Sequence, residues 1–262
     1  MDFTFIPALS LSGLIVGLLV GLTGVGGGSL MTPILVLLFG FKPATAVGTD
    51  LLYAAITKSG GSWVHHRHGN IDWRITGRMA LGSVPAAAIS LLIIANLGID
   101  NHGTAHIITS ALGVALVLTA GSLLFRQRLL TFAQRHIGQS LNERQTVRLT
   151  ILVGAIVGTL VAWTSVGAGA LGVTALLFLY PRLATIRIVG ADIAHAVPLT
   201  LVAGLGHWYL GSVDVPLLLN LLIGSLPGIA LGSHFAARVP ERGLRSLLAA
   251  VLLLVGGKLI LA

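Results

Sequence analysis

Apolar runs recur along the whole 262-residue chain, several of them long enough to cross a lipid bilayer, and lipid leaves a backbone very few ways to satisfy its polar groups. The runs cover about residues 6–23, 29–40, 46–65, 76–97 and 104–125, and then, after a polar stretch, 148–164, 169–180, 186–210, 216–235 and 244–262. The longer ones reach the roughly 20 residues that a helix needs to span a hydrocarbon core of about 30 Å. They do not alternate apolar with polar residues as transmembrane strands do, so the expected fold class is an all-α integral membrane protein. Composition agrees, with 55% hydrophobic and 9% charged residues. No cysteine is present, which removes disulfides and thiolate metal sites. The N-terminal "MDFTFIPALS" lacks the basic region of a cleaved signal peptide and is expected to be retained. The formal charge of +8 would suit nucleic acid, but the basic residues sit in short loops between apolar runs. Membrane topology accounts for them, and no nucleic-acid partner is expected.

The chain carries the same pattern twice. An offset of 142 pairs Gly48 with Gly190, Asp50 with Asp192, His65 with His207, Gly69 with Gly211, Asp72 with Asp214, and "GSVP" at Gly82 with "GSLP" at Gly224. An offset of 141 pairs "GVGGGSL" at Gly24 with "SVGAGAL" at Ser165, and one inserted residue reconciles the two. Rare aspartates, histidines and prolines at a constant spacing indicate internal duplication. The expected organisation is a first membrane repeat, 1–125, a basic cytoplasmic linker, 126–147, and a second membrane repeat, 148–262.

Lysine and arginine placement orients the helices. Arg67, Arg74 and Arg78, the linker arginines, Arg182 and Arg187, and Arg238, Arg242 and Arg245 should all be cytoplasmic, while 98–103 and 211–215, without basic residues, should face outward. All clusters fall on one side only if 6–40 and 148–180 each enter and leave by the same face. The pieces are short, 29–40 being about 18 Å long as a helix, so a Gly-rich broken or re-entrant hairpin followed by three transmembrane helices is expected in each half. Three net crossings per half make the two copies inverted. At a hairpin tip, glycines leave backbone N–H groups uncovered and a helix start points its positive dipole end into the same space, an arrangement suited to an anion. Thr23, Gly24, Gly26, Gly27, Gly28 and Ser29 in the first copy, and Thr164, Ser165, Gly167, Ala168 and Gly169 in the second, are therefore candidate substrate-binding residues. Gly17, Gly21, Gly154 and Gly158 are better read as helix-packing positions.

Lys58 lies deep in an apolar run, where a charge is costly, and is a further substrate-binding candidate. Asp50 and Asp192, near the starts of their runs, fit helix capping as well as proton coupling. His195, on the helical face of Asp192, is the intramembrane proton-carrier candidate beside a plain structural role. "HHRH" at His65–His68 lies beside arginines with no carboxylate nearer than Asp72, so no metal site is expected. Trp63, Trp73 and Trp208 read as interfacial belt residues, whereas Trp163 stands where it could wall the site.

"GVGGGSLMTP", "VGTDLLYAAITKSGGSWVHHRHGNIDW", the "GSVP" step and the degenerate second copy resemble the TauE/SafE family of sulfite and sulfonate transporters over nearly the whole chain. The resemblance implies a secondary transporter in the cytoplasmic membrane that exports sulfite or a related sulfur-containing anion, an organosulfonate or thiosulfate, by alternating access, with possible proton coupling. The alternative is an anion channel, or an uptake permease for sulfonates or other small organic anions, using the same tips. No P-loop is present, no cofactor is expected, and an enzyme would need a constellation at which only Asp192 with His195 hints. The expected partners are the anion and the lipid bilayer. Oligomeric state is not legible.

Overall fold

The computed structural model describes residues 4–23, 28–99, 101–136, 142–235 and 241–261, and all regular structure among them is α-helical. Ten helices follow in order: α1 (Pro7–Thr23), α2 (Gly28–Leu37), α3 (Pro43–Arg67), α4 (Trp73–Leu97), α5 (His102–His136), α6 (Glu143–Thr164), α7 (Ala170–Leu179), α8 (Thr185–Tyr209), α9 (Val215–Phe235) and α10 (Glu241–Leu261). Segments of α4, α5, α6, α8 and α9 are each long and apolar enough to cross a membrane. Helices α2 and α7, ten residues each, extend only about 15 Å and cannot span alone.

Lipid removes the hydrophobic drive for helix association, so close packing has to come from small residues that let backbones meet. That is how α1 joins α9 and α6 joins α4. A Cβ at Gly13 or Gly17 would run into the carbonyl oxygen of Leu221 or Ser225, and one at Gly224 into that of Ser10. The same contacts recur between the other two helices: Gly154 against Met79, Gly158 against Ser83, and Gly82 against Ile151. Residues separated by 141 or 142 positions thus make matching contacts. The outer face of α4 carries exposed Leu81, Ile89, Leu92 and Ile93, whereas its inner face buries Ser83, Ala87 and Ser90.

The contacts also fix helix directions. Contact positions rise together along α1 and α9 and along α6 and α4, so each of these pairs is parallel. Helix α8 runs parallel to α4, with Gly206 against Leu91 and Thr76 Oγ1 donating to Ala191 O at 3.2 Å, and antiparallel to α3, with Gly204 against Leu52 and Gly61 against Ile193. Helices α3 and α8 form the centre, and both are polar inside: Thr49, Asp50, Asp192, His195, Thr200 and His207 are all buried.

The α3–α4 and α8–α9 connections are alike. Gly69 and Gly211 take φ of +66° and +76°, a region that suits glycine. Asp72 then caps α4, accepting the amides of Arg74 and Ile75, and Asp214 accepts that of Leu217 at 2.8 Å. The polar stretch 126–147 is partly helical. Helix α5 continues through it to His136 and α6 begins at Glu143, where Asn142 and Gln145 form a capping box. Arginine, glutamine, leucine and alanine are good helix formers, and 35 residues extend about 52 Å, longer than a hydrocarbon core of about 30 Å.

Candidate functional site

The second glycine-rich break is built from buried, non-helical backbone. Helix α6 ends as Ser165 turns left-handed at φ 59°, its N–H donating to Val161 O at 2.8 Å. Thr164 Oγ1 donates to Leu160 O at 2.6 Å and accepts the Val166 N–H at 3.1 Å. Gly167 and Gly169 follow at φ of +130° and +121°, and α7 starts at Ala170. Ser165, Val166, Gly167 and Gly169 are buried, so protein encloses the break as bilayer physics demands. Lys58 Nζ reaches across from α3 and donates to Ala168 O at 3.2 Å. In the first copy Gly24, Gly26 and Gly27 lie outside the described residues. Thr23 closes α1 and Gly28 and Ser29 open α2, their side chains also lying outside that description.

Asp50 and Asp192 do not cap helices. Helix α3 starts at Pro43 and α8 at Thr185, so both carboxylates fall in the third turn, fully buried, and the capping alternative is corrected. For Asp50 the apolar run, 46–65, begins three residues inside α3, whose first residues Pro43, Ala44 and Thr45 are small or polar, which made that aspartate look terminal. Asp50 Oδ2 accepts the Thr32 hydroxyl of α2 at 2.5 Å, and the Ser165 hydroxyl faces the same carboxylate. Neither oxygen of Asp192 has a hydrogen-bond partner. It faces the Gly169 amide and the Lys58 ammonium, and abuts Gly172, where a Cβ would overlap the carboxylate. His195 Nε2 and the Ser83 hydroxyl are hydrogen-bonded at 2.8 Å, while Nδ1 has no partner.

A cavity of about 600 Å³ opens onto this group. Ile56, Trp63 and Val64 of α3, Ile193 of α8, and Leu226 and Ile229 of α9 form its apolar wall. Thr57, Lys58, His65, Gly169 and Asp192 supply its polar points. Lys58 of α3, Gly169 of the break before α7 and Asp192 of α8 are thus brought together, while Asp50, Ser165 and Thr32 do not line the cavity. The wall is Trp63, not Trp163, which packs instead on the core cluster containing Val157, Ala162 and Leu199. Arg67 stacks over the Trp63 ring at 4.0 Å, and His66 meets Trp73 edge-on, so two of the four residues of "HHRH" are engaged by aromatic rings. Thr32, Ser83, Thr57 and His65 were not legible as site residues. The "GSVP" and "GSLP" match, which places Ser83 at a duplicated position, and the pairing of His65 with His207 hinted at two of them.

Comparison with known proteins supplies the family. The model described as sulfite exporter TauE/SafE matches residues 9–259. A probable membrane transporter protein of Bacillus subtilis strain 168, YjnA, is 41% identical over 253 residues, covering 97% of this chain and 99% of that protein. Another from the same organism, YdhB, is 28% identical over 88% of this chain and 91% of its own length. The probable membrane transporter protein MJ0441 of Methanocaldococcus jannaschii is 26% identical over 98% of this chain and 97% of its own length. No solved structure matches the chain significantly. With helices that suit a bilayer, a buried break, and a cavity beside it that holds a few polar groups, the chain belongs to the sulfite exporter TauE/SafE family and is a multi-pass transporter of the cell membrane.

Proposed function

We propose that this protein is an inverted-repeat secondary transporter that exports sulfite or a related sulfur-containing anion by alternating access. The observation that carries the reading is the enclosed, non-helical Ser165–Gly169 segment beside the Lys58 ammonium, at the floor of a cavity. Paired interrupted helices mark substrate sites in repeat-built transporters. Helix directions support the inversion. Helix α3 runs opposite to its counterpart α8, and α5 runs opposite to its counterpart α10, with Gly113 against Ile260 and Gly256 against Val117, as inverted copies require. Arg67, stacked over the Trp63 ring that lines the cavity, supports opening toward the cytoplasm. Charge balance supports coupling to protons. One ammonium with two buried carboxylates would repel an anion if all three were ionised, so the anion and protons are taken up together. Asp192, open to the cavity, Asp50 and His195 are the groups proposed to carry them.

The test of cargo is a thermal-shift panel of sulfite, sulfate, thiosulfate, sulfonates and carboxylates, followed by flux into proteoliposomes. Sulfite or another sulfur oxyanion should raise the melting temperature and show saturable flux. Stabilisation by carboxylates alone would overturn the reading, and non-saturating flux would favour the channel alternative.

Topology gives a separate expectation. In this cysteine-free chain, Phe5→Cys and Leu261→Cys should react with an impermeant thiol reagent from outside, and Glu143→Cys only from the cytoplasmic side. Labelling of positions 5 and 143 from one side would rule out inversion.

A further inference from the structure

The open cavity has a filled counterpart. Under the duplication offsets its lining residues Thr57, His65, Ile193 and Ile229 correspond to Leu199, His207, Leu51 and Ala87, and Gly21 corresponds to Ala162. Every one of those counterparts is at 0% exposure. Leu51, Ala87, Ala162 and Leu199 belong to a single buried cluster. His207 seals that side, its Nε2 within 2.9 Å of the Ala162 carbonyl oxygen and its Nδ1 within 2.9 Å of the Ser212 hydroxyl. His65, by contrast, lines the cavity with Nδ1 unpartnered. The turns that follow the two histidines are nevertheless the same. Asn70 N–H donates to His65 O at 2.9 Å and Ser212 N–H to His207 O at 3.0 Å. Local structure therefore matches in the two copies, and what differs is whether the helix end is packed.

We infer that His65 and the Gly21 carbonyl form a gate. In the alternate state His65 takes up with Gly21 the contact that His207 makes here with Ala162, the cavity fills, and the cluster around Leu51 and Leu199 parts to open the opposite side. The inference rests on the inverted-repeat reading above and extends it to named residues. It also accounts for part of the apolar wall: Ile193 and Ile229, the counterparts of the buried Leu51 and Ala87, are core residues of the alternate state, so aliphatic side chains line a cavity for a small anion.

Paired cysteines test it in purified protein with no substrate present. Gly21→Cys/His65→Cys and Ala162→Cys/His207→Cys are each joined by a short bifunctional thiol reagent, with Ile193→Cys or Leu51→Cys added as the accessibility reporter. Closing the first pair should lower maleimide labelling at position 193, and raise it at position 51, by roughly tenfold as a minor state becomes the trapped one. Closing the second pair should leave position 193 reactive and position 51 protected. Gly21 packs closely on Gly232 of α9, where an added Cβ would lie 3.0 Å from Gly21 Cα, so Thr57→Cys/Ile229→Cys, the counterparts of Leu199 and Ala87 in one buried cluster, is carried in parallel. The gate is overturned if neither cavity pair links in monodisperse protein, or if linking leaves position 193 open or position 51 protected. Because no anion is added, an exchange of reactivity without sulfite flux would remove the sulfite reading alone.

Discussion

Gly169→Val should abolish sulfite flux and lower sulfite affinity at least about tenfold, equal to ~1.4 kcal/mol, in protein that remains monodisperse. Gly169 stands at φ +121°, where a β-branched residue is strained, and its amide sits at the cavity floor beside Asp192. A valine side chain there both fills the floor and forces the backbone to rotate, which turns the amide away. The control is Gly154→Ala. Its Cβ would meet the Met79 carbonyl oxygen in the α4–α6 contact, so overpacking should cost about 1–3 kcal/mol of stability while affinity stays at the wild-type value. Isothermal titration on purified protein separates the two. Wild-type affinity in Gly169→Val would put the anion elsewhere. Gly27→Val should behave like Gly169→Val if the first tip shares the anion.

Lys58→Met should weaken sulfite binding by roughly 10- to 100-fold, since a hydrogen bond to a charged group contributes about 1.5–3 kcal/mol. Among the described residues that line the cavity, Lys58 is the only lysine or arginine, and its counterpart under the duplication is Thr200, so no second cation compensates. Methionine keeps the length and apolar stem of the side chain, which limits the packing cost. The ammonium also donates to the Ala168 carbonyl oxygen, and its loss should loosen the break. A direct binding titration decides between these roles: unchanged affinity with a lowered melting temperature would assign Lys58 to holding the Ser165–Gly169 segment.

Much of this architecture was legible before any helix was placed. Apolar run length and the absence of period-two alternation determine an all-helical membrane chain, because in lipid a backbone must satisfy itself locally. The duplication was legible because aspartate, histidine and proline are rare enough for a constant offset to carry information. The glycine-rich tips stood out because glycines cluster in an apolar run only where backbone must turn or approach closely, as the second tip does at Gly167 and Gly169. Lys58 could be singled out because an intramembrane charge is expensive.

What the sequence by itself determined was therefore the class, the repeat pattern, the motifs that resemble the family, and the short list of polar groups held inside the membrane. Only the tertiary structure decided which of them meet. Lys58 faces Ala168, some 110 residues away, and the Trp63 wall, the Thr32–Asp50 and Ser83–His195 hydrogen bonds and the burial of both aspartates in the third turn depend on helix pairing that no local pattern encodes. It alone decided, too, that two copies with matching turns differ in closure, His207 packed and His65 open. The physical reason is that side-chain identity constrains local conformation, whereas burial of a helix end depends on which residues from distant parts of the chain pack against it, and matching turns in both copies do not decide that.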